Sequence, residues 1–246
     1  MSNTYFQFKQ FTVHQEHTAM KVCTDACLFG AWLANDENIN TASTLLDIGT
    51  GTGLLSLMVA QSKFSNSKSH ASITAVEIET AAAKEAQSNI NASPWANQIE
   101  LVHSSIQDYA PKKMDCIFTN PPFYEGDLKS PNEAINVASH SMALPWTALM
   151  EVVADALNPN GFYYVLVPAL RAYTMQKLAA QKGLQLLEEV LVYNAVKQKP
   201  FRAIHKYSKS ASPTAVIKRT NFIIKEEGNN YTDHFTKLLA PYYLHL

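Results

Sequence analysis

The stretch IFTNPPFYEG, residues 117–126, ends an apolar run on an asparagine, two prolines and two aromatic residues. Consecutive prolines at 121 and 122 remove two backbone donors and hold the chain extended, so neither a helix nor a strand ladder continues through them. The segment is a fixed ledge. On it Asn120 carries a carboxamide that both donates and accepts, and Phe123 and Tyr124 carry flat apolar faces. Those groups suit a planar polar ligand, although an ordinary strand-ending turn has the same composition. The other motifs decide between the two.

Upstream, DIGTGTG sets Asp47, Gly49, Gly51 and Gly53 between an apolar strand and a helix-like run. Glycines there permit a sharp turn and close backbone approach to a ligand, while the following helix presents free amides and partial positive charge. A dinucleotide fingerprint reads GxGxxG, but counted from Gly49 its third glycine falls on Leu54, and an acid, Asp47, stands ahead of the first. That acid adds negative charge where a pyrophosphate needs the opposite sign. A ligand with a cationic centre or an ammonium group fits better, and S-adenosylmethionine has both a sulfonium and an amino group. Glu77, at the end of the next strand, stands where a carboxylate accepts from ribose hydroxyls. After the third strand either Ser105 or Asp108 is placed to meet the adenine amine, and the spacing does not choose between them.

These groups need a frame. Strand-like STLLDI, SITAVEIE, QIELVHSS, MDCIFTNPPF and GFYYVLVP alternate with helix-like LLSLMVA, TAAAKEAQSNINAS and PWTALMEVVADAL, with a turn at NPNG. A helix around AYTMQKLAAQKG and the strands LQLLEEVLVYN and FRAIHKYSK follow. The alternation predicts an α/β fold, a doubly wound, mostly parallel, seven-stranded sheet with helices on both faces. Only AVKQKP separates the last two strands, too little for a parallel crossover, so they are expected to form a C-terminal antiparallel hairpin. Its connection then lies on the same sheet edge as Asn120, where ligands of such sheets bind near the reversal of strand order. From Val190 to Lys225 the chain has no Asp or Glu but carries Lys197, Lys199, Arg202, Lys206, Lys209, Lys218, Arg219 and Lys225. Such a one-signed stretch is a candidate phosphate-binding face, with Phe201, Tyr207 and Phe222 interleaved for base stacking. A solvated strand surface is the other reading.

At 246 residues the chain fits one domain spanning 1–246, with residues 1–40 as an N-terminal segment closing over the cofactor site and 41–246 as the core. A formal net charge of -1 does not announce a nucleic-acid binder, which is why the local charge window carries that argument. The opening MSNTYFQFKQF is neither a basic nor an apolar leader, and no run approaches the roughly 18 apolar residues of a membrane span. A cytoplasmic protein with no membrane partner is expected. Cys23, Cys27 and Cys116 lack CxxC pairing, and His14 and His17 have no third ligand at a recognisable spacing. The thiols are expected to be free, with no metal bound.

LLDIGTGTG, AVEIE and IFTNPPF, in this order, resemble the class I S-adenosylmethionine-dependent methyltransferases. Asn-Pro-Pro-aromatic after the fourth strand resembles the subset that methylates planar exocyclic or amide nitrogens. Across nearly the whole chain, FQFKQFTVHQEHTAMKVCTDACLFGAW, INASPWANQI and NYTDHFTKLLAPYYL resemble the bacterial family that methylates adenosine 37 of valine tRNA, beside the anticodon. The resemblance implies S-adenosylmethionine as cofactor, held by Asp47, Gly49, Gly51, Gly53, Glu77 and Ser105 or Asp108. It implies that the Asn120 carboxamide oxygen and the Pro121 carbonyl accept the two amine hydrogens of adenine, that Pro122 fixes the ledge, and that Phe123 stacks on the base. Water takes the last proton, leaving His140 unassigned. Lys197, Lys199, Arg202 and Lys206 would hold phosphates of a tRNA whose target base is turned out of its stack. MKVCTDACLFG would close over the methionine end of the cofactor, with Thr24 or Asp25 capping the next helix. Two positions depart from the family pattern: Cys23 replaces a glycine, and Ser105 stands where an acid is expected. The alternative is an enzyme methylating a glutamine amide in a translation factor, which would use the same ledge but usually carries a helical domain ahead of this core.

Overall fold

The computed structural model describes residues 3–18, 20–64, 70–121, 145–212 and 214–246. The chain opens with the antiparallel pair β1 (Tyr5–Gln7) and β2 (Thr12–His14), then α1 (Thr24–Ala34) and α2 (Glu37–Thr41). There follow β3 (Thr44–Ile48), α3 (Leu54–Phe64), β4 (Ser72–Glu77), α4 (Thr80–Asn91), β5 (Ile99–His103), the short α5 (Ile106–Tyr109) and β6 (Met114–Thr119). Beyond Pro145 come α6 (Trp146–Ala156), β7 (Leu157–Pro168), a 3-10 turn (Ala169–Arg171) and α7 (Ala172–Gln181). The chain closes with β8 (Gln185–Ala195), β9 (Arg202–Ser208), β10 (Lys218–Lys225) and α8 (Asp233–Leu239).

The main sheet runs β10-β8-β9-β7-β6-β3-β4-β5 and is parallel except for β9, which is antiparallel to both β7 and β8. The expected hairpin is therefore present, with Val192 opposite Arg202. The sheet has eight strands where the sequence predicts seven. The extra one, β10, adds to the outer edge of β8, and only Phe222 and Ile224 in it are buried, an alternation too brief to stand out inside a basic window. The expected NPNG turn lies instead within β7, opposite a register shift between Met114 and Cys116 of β6.

The central strands are apolar on both faces because both are covered. Leu45, Ile73, Tyr164 and Ile204 join α1, α3 and α8 in one core, whereas Leu46, Ile117, Val165 and Tyr207 join α6 and α7 in the other. Strand order reverses between β3 and β6, which pair as far as Ile48 and Thr119. Thr119 Oγ1 donates to the Ile48 carbonyl at 2.7 Å, locking the two strand ends together. A ligand crevice belongs at that reversal.

The N-terminal segment is fastened beside it. Backbone amides of Glu16, His17 and Thr18 donate to the Glu85 carboxylate on α4. Asn89, one helical turn on, accepts from His14 N at 2.9 Å and donates to the carbonyls of His14 at 2.9 Å and Thr52 at 3.0 Å. One side chain thus joins the segment to the loop after β3. Among the described residues no helix is long and apolar enough to cross a membrane.

Candidate active site

Asp47 ends up fully buried at the end of β3. Its Oδ2 accepts from Thr50 Oγ1 at 2.6 Å and Ser56 Oγ at 2.8 Å, so one carboxylate oxygen ties the loop to the first turn of α3. The other, Oδ1, is buried with no hydrogen-bond partner among the described residues. Burial raises this carboxyl to a pKa of about 6, against the pull of the two hydroxyls. Gly49 and Gly51 have φ of 69° and 59°, a region that side chains avoid, and a Cβ on either would meet no atom of the described residues within 4 Å.

Four amides of the loop already have partners. Gly49 N and Thr50 N donate to the Val76 carbonyl at 2.9 and 3.1 Å, Gly53 N to the Thr50 carbonyl at 3.0 Å, and Gly51 N to Glu77 Oε2 at 2.8 Å. These four donors are spent inside the protein rather than on a phosphate. Beside these amides lie Asp47 Oδ1, buried with no hydrogen-bond partner among the described residues, and the buried Glu77 carboxylate, each Glu77 oxygen carrying one amide bond, the second from Glu79 N at 2.9 Å. A carboxylate oxygen accepts more than one donor, so Glu77 retains capacity for hydroxyls. Two buried carboxylates at this loop suit a ligand with a cationic centre and a ribose better than a phosphate.

Ser105 and Asp108 are not alternatives but partners. Ser105 caps α5: its Oγ accepts from Asp108 N at 3.1 Å and donates to Asp108 Oδ2 at 2.6 Å. The carboxylate is thereby held at the serine, one turn later in sequence than the family pattern has it.

Asn120 follows β6 directly, beside the loop that follows β3. Its carboxamide oxygen is buried and has no hydrogen-bond partner among the described residues. Pro121 is buried. Pro122, Phe123, Tyr124 and His140 lie outside the described residues.

The basic window resolves into residues with different surroundings. Lys197 and Lys199 are exposed in the β8–β9 connection, Lys197 paired with Glu227. Arg202 Nε donates to Asp25 Oδ2 at 2.7 Å, in the first turn of α1. That helix is capped at Cys23 without a side-chain bond, so neither Thr24 nor Asp25 serves as its cap. Lys218 and Arg219 pair with Glu188 and Glu189. Lys206 points into the fold: its Nζ is 2.6 Å from Asp36 Oδ2, with side-chain exposures of 12% and 10%, and it lies over the ring of Phe162. Burial pushes the Asp36 carboxyl up, but Lys206, Tyr164 and the Asn38 amide together bring it below its ordinary value. Acids outside the window, two of them remote in sequence, thus neutralise much of it, and Lys206 reads as scaffold. Lys206→Ala is expected to cost about 3 kcal/mol of stability, because it strands a buried carboxylate; urea unfolding measures it, and an unchanged midpoint would return Lys206 to the surface set.

All three cysteines are free, and burial raises Cys23, Cys27 and Cys116 each to a pKa of about 12, so none is a ready thiolate. Among the described residues no group of three or more His, Cys, Asp or Glu could hold a metal ion.

Residues 30–174 match the family model described as the methyltransferase small domain, so sheet, loop and ledge together define a methyltransferase of that class. Relatives of matching length make the assignment finer. A Dyadobacter fermentans protein named tRNA1(Val) (adenine(37)-N6)-methyltransferase is 36% identical over 244 residues, 98% of each chain. A Cytophaga hutchinsonii protein of the same name is 38% identical over 250 residues, 100% of each. The chain belongs to this tRNA1(Val) (adenine(37)-N6)-methyltransferase family. Its fold is also that of an Agrobacterium tumefaciens protein described as a predicted O-methyltransferase, with a TM-score of 0.66, 14% identity and coverage of 87% of this chain and 95% of that one.

Proposed function

We propose that the protein methylates the exocyclic amine of adenosine 37 in the anticodon loop of a valine tRNA, with S-adenosylmethionine as methyl donor. The observation that supports the reading is the Asn120 carboxamide oxygen, buried with no hydrogen-bond partner among the described residues, one strand away from the glycine loop and its buried acids. A buried acceptor left unmet costs about 1–3 kcal/mol, a cost that a donor arriving with the substrate removes.

The cofactor supplies an electrophilic methyl group on a sulfonium sulfur. Asp47 Oδ1 would take its cationic end, the open backbone at Gly49 and Gly51 its methionine portion, Glu77 its ribose hydroxyls and the Ser105–Asp108 pair its adenine. Asn120 Oδ1 and the Pro121 carbonyl accept the two hydrogens of the target amine. Those bonds turn the nitrogen lone pair out of conjugation with the ring, aim it, and stabilise the positive charge it acquires. The proton then passes to water, so no side-chain base is needed. Pro122 and Phe123 complete the ledge in sequence, Phe123 as the stacking face. Lys197, Lys199 and Arg202 at the β8–β9 connection serve the RNA backbone, while the segment 1–40 covers the cofactor within a single domain spanning 1–246. The site of action is the cytoplasm, where tRNA matures.

The test is transfer of labelled methyl from S-adenosylmethionine to total tRNA from cells lacking the protein, followed by nucleoside analysis. N(6)-methyladenosine at position 37 of a valine tRNA is expected. Label in protein and none in RNA would overturn the reading in favour of a glutamine amide.

A further inference from the structure

The edge of the sheet that carries Asn120 has another surface beside it. β7 is paired with β6 at Val165 and Thr119 and runs on to Pro168, so the 3-10 turn Ala169–Arg171 rises beyond the end of β6 by about three residues, roughly 10 Å. The turn is fixed on its far side: Ala169 N donates to the Phe201 carbonyl at 3.1 Å, and Pro168 lies opposite Arg202. It therefore stands between the ledge and the Lys197–Lys199 connection, in a row that follows the strand order β6, β7, β9, β8.

Its side chains face water without evident need. Leu170 is 94% exposed, and Tyr173, in the first turn of α7, is 70% exposed with Lys177 Nζ 5.2 Å from its ring centre. Arg171 and Lys177 are exposed as well. From Ala156 to Leu187 the chain has no Asp or Glu, and Lys182, the remaining cation of that stretch, is paired with Glu151 away from the turn. A protruding leucine and tyrosine flanked by cations, with no acid from their own stretch, complement a strand that presents bases and phosphates together. Leu170 and Tyr173 are among the most exposed large apolar side chains of the described residues.

We propose that Leu170, Arg171 and Tyr173 form a second RNA contact, in which Tyr173 stacks on an unpaired base next to the methylated adenosine, Leu170 packs against the face of a neighbouring base and Arg171 holds a phosphate. The inference rests on the functional reading above and adds what keeps the neighbouring nucleotides in place once the target base enters the ledge. Base–aromatic stacking contributes about 1–3 kcal/mol per base and tolerates any base, so this contact supplies affinity rather than sequence choice. Arg171 adds one phosphate, hence salt dependence.

The experiment is steady-state methylation of valine tRNA by the parent, Tyr173→Ala, Tyr173→Phe and Arg171→Ala over a range of salt. Tyr173→Ala is expected to raise the KM for tRNA about tenfold, to leave kcat within about twofold and cofactor affinity unchanged, and Tyr173→Phe to restore the parent KM. Arg171→Ala is expected to reduce the slope of log affinity against log salt by about 0.7, the value for one single-strand phosphate. A tRNA KM unchanged in Tyr173→Ala, with an active parent, overturns this inference alone. A parent that labels no tRNA overturns it together with the functional reading.

Discussion

Asn120→Ala is expected to remove most methyl transfer, about a thousandfold in kcat, while leaving the protein as stable as its parent. The two halves of that result have one cause. In the parent the carboxamide oxygen is buried and accepts no hydrogen bond from the described residues, so its deletion forfeits none of their bonds and relieves a desolvation cost of about 1–3 kcal/mol that the smaller side chain then offsets through lost packing. In the loaded site the same oxygen becomes half of the acceptor pair that orients the amine, and loss of one pre-placed polar partner of a transition state typically costs about 100- to 1,000-fold. Asn120→Asp separates acceptance from mere shape, since a carboxylate still accepts the amine hydrogen; it is expected to retain far more activity than Asn120→Ala. Single-turnover methylation with saturating cofactor, beside a urea melt, measures both halves. Turnover of Asn120→Ala within tenfold of the parent would remove Asn120 from the chemistry.

What could be read from the sequence was what chemistry keeps local. The glycine loop, Glu77 and Asn120 each follow a short apolar run, and in a parallel sheet every such run ends at the same edge, so the order of motifs already implies that they meet. Charge is different, because it is neutralised across space. Arg202 and Lys206 lie in a stretch without acids, yet their partners Asp25 and Asp36 are 177 and 170 residues away in sequence. A charge window cannot register that. The anchoring of Asp47 by Thr50 and Ser56 was missed for a related reason: hydroxyls in a glycine-rich turn look like solvent-facing loop residues until burial of the acid is known. The choice between Ser105 and Asp108 was undecidable because the two form one hydrogen-bonded unit. β10 escaped notice because an edge strand needs only one buried face, and here that face is Phe222 and Ile224.

Asp47→Asn is expected to strengthen the fold above pH 6 and to weaken the cofactor. The parent carboxyl has a folded pKa of about 6 against an ordinary 3.8, so the folded state holds this proton more tightly than the unfolded state does. Stability from the neutral form is complete below about pH 4 and is lost as pH rises through 6; two pH units correspond to about 3 kcal/mol. An asparagine does not titrate, so the stability of the variant relative to the parent should climb between pH 4 and 7 and then level off, as urea unfolding at pH 4.5 and pH 8 would record. The gain has a functional counterpart. If the amide oxygen takes over the hydroxyls of Thr50 and Ser56, its NH2 group occupies the place of the unpartnered Oδ1 and presents a donor where the parent presents negative charge. Affinity for S-adenosylmethionine should then fall at least tenfold, since loss of a nearby opposite charge in a partly buried site exceeds 1.4 kcal/mol. Calorimetry with the demethylated thioether product locates the cation that Asp47 meets. An equal loss for both ligands assigns it to the amino group they share, whereas a loss confined to S-adenosylmethionine assigns it to the sulfonium. Unchanged affinity for both would leave Asp47 as an anchor of the loop and nothing more.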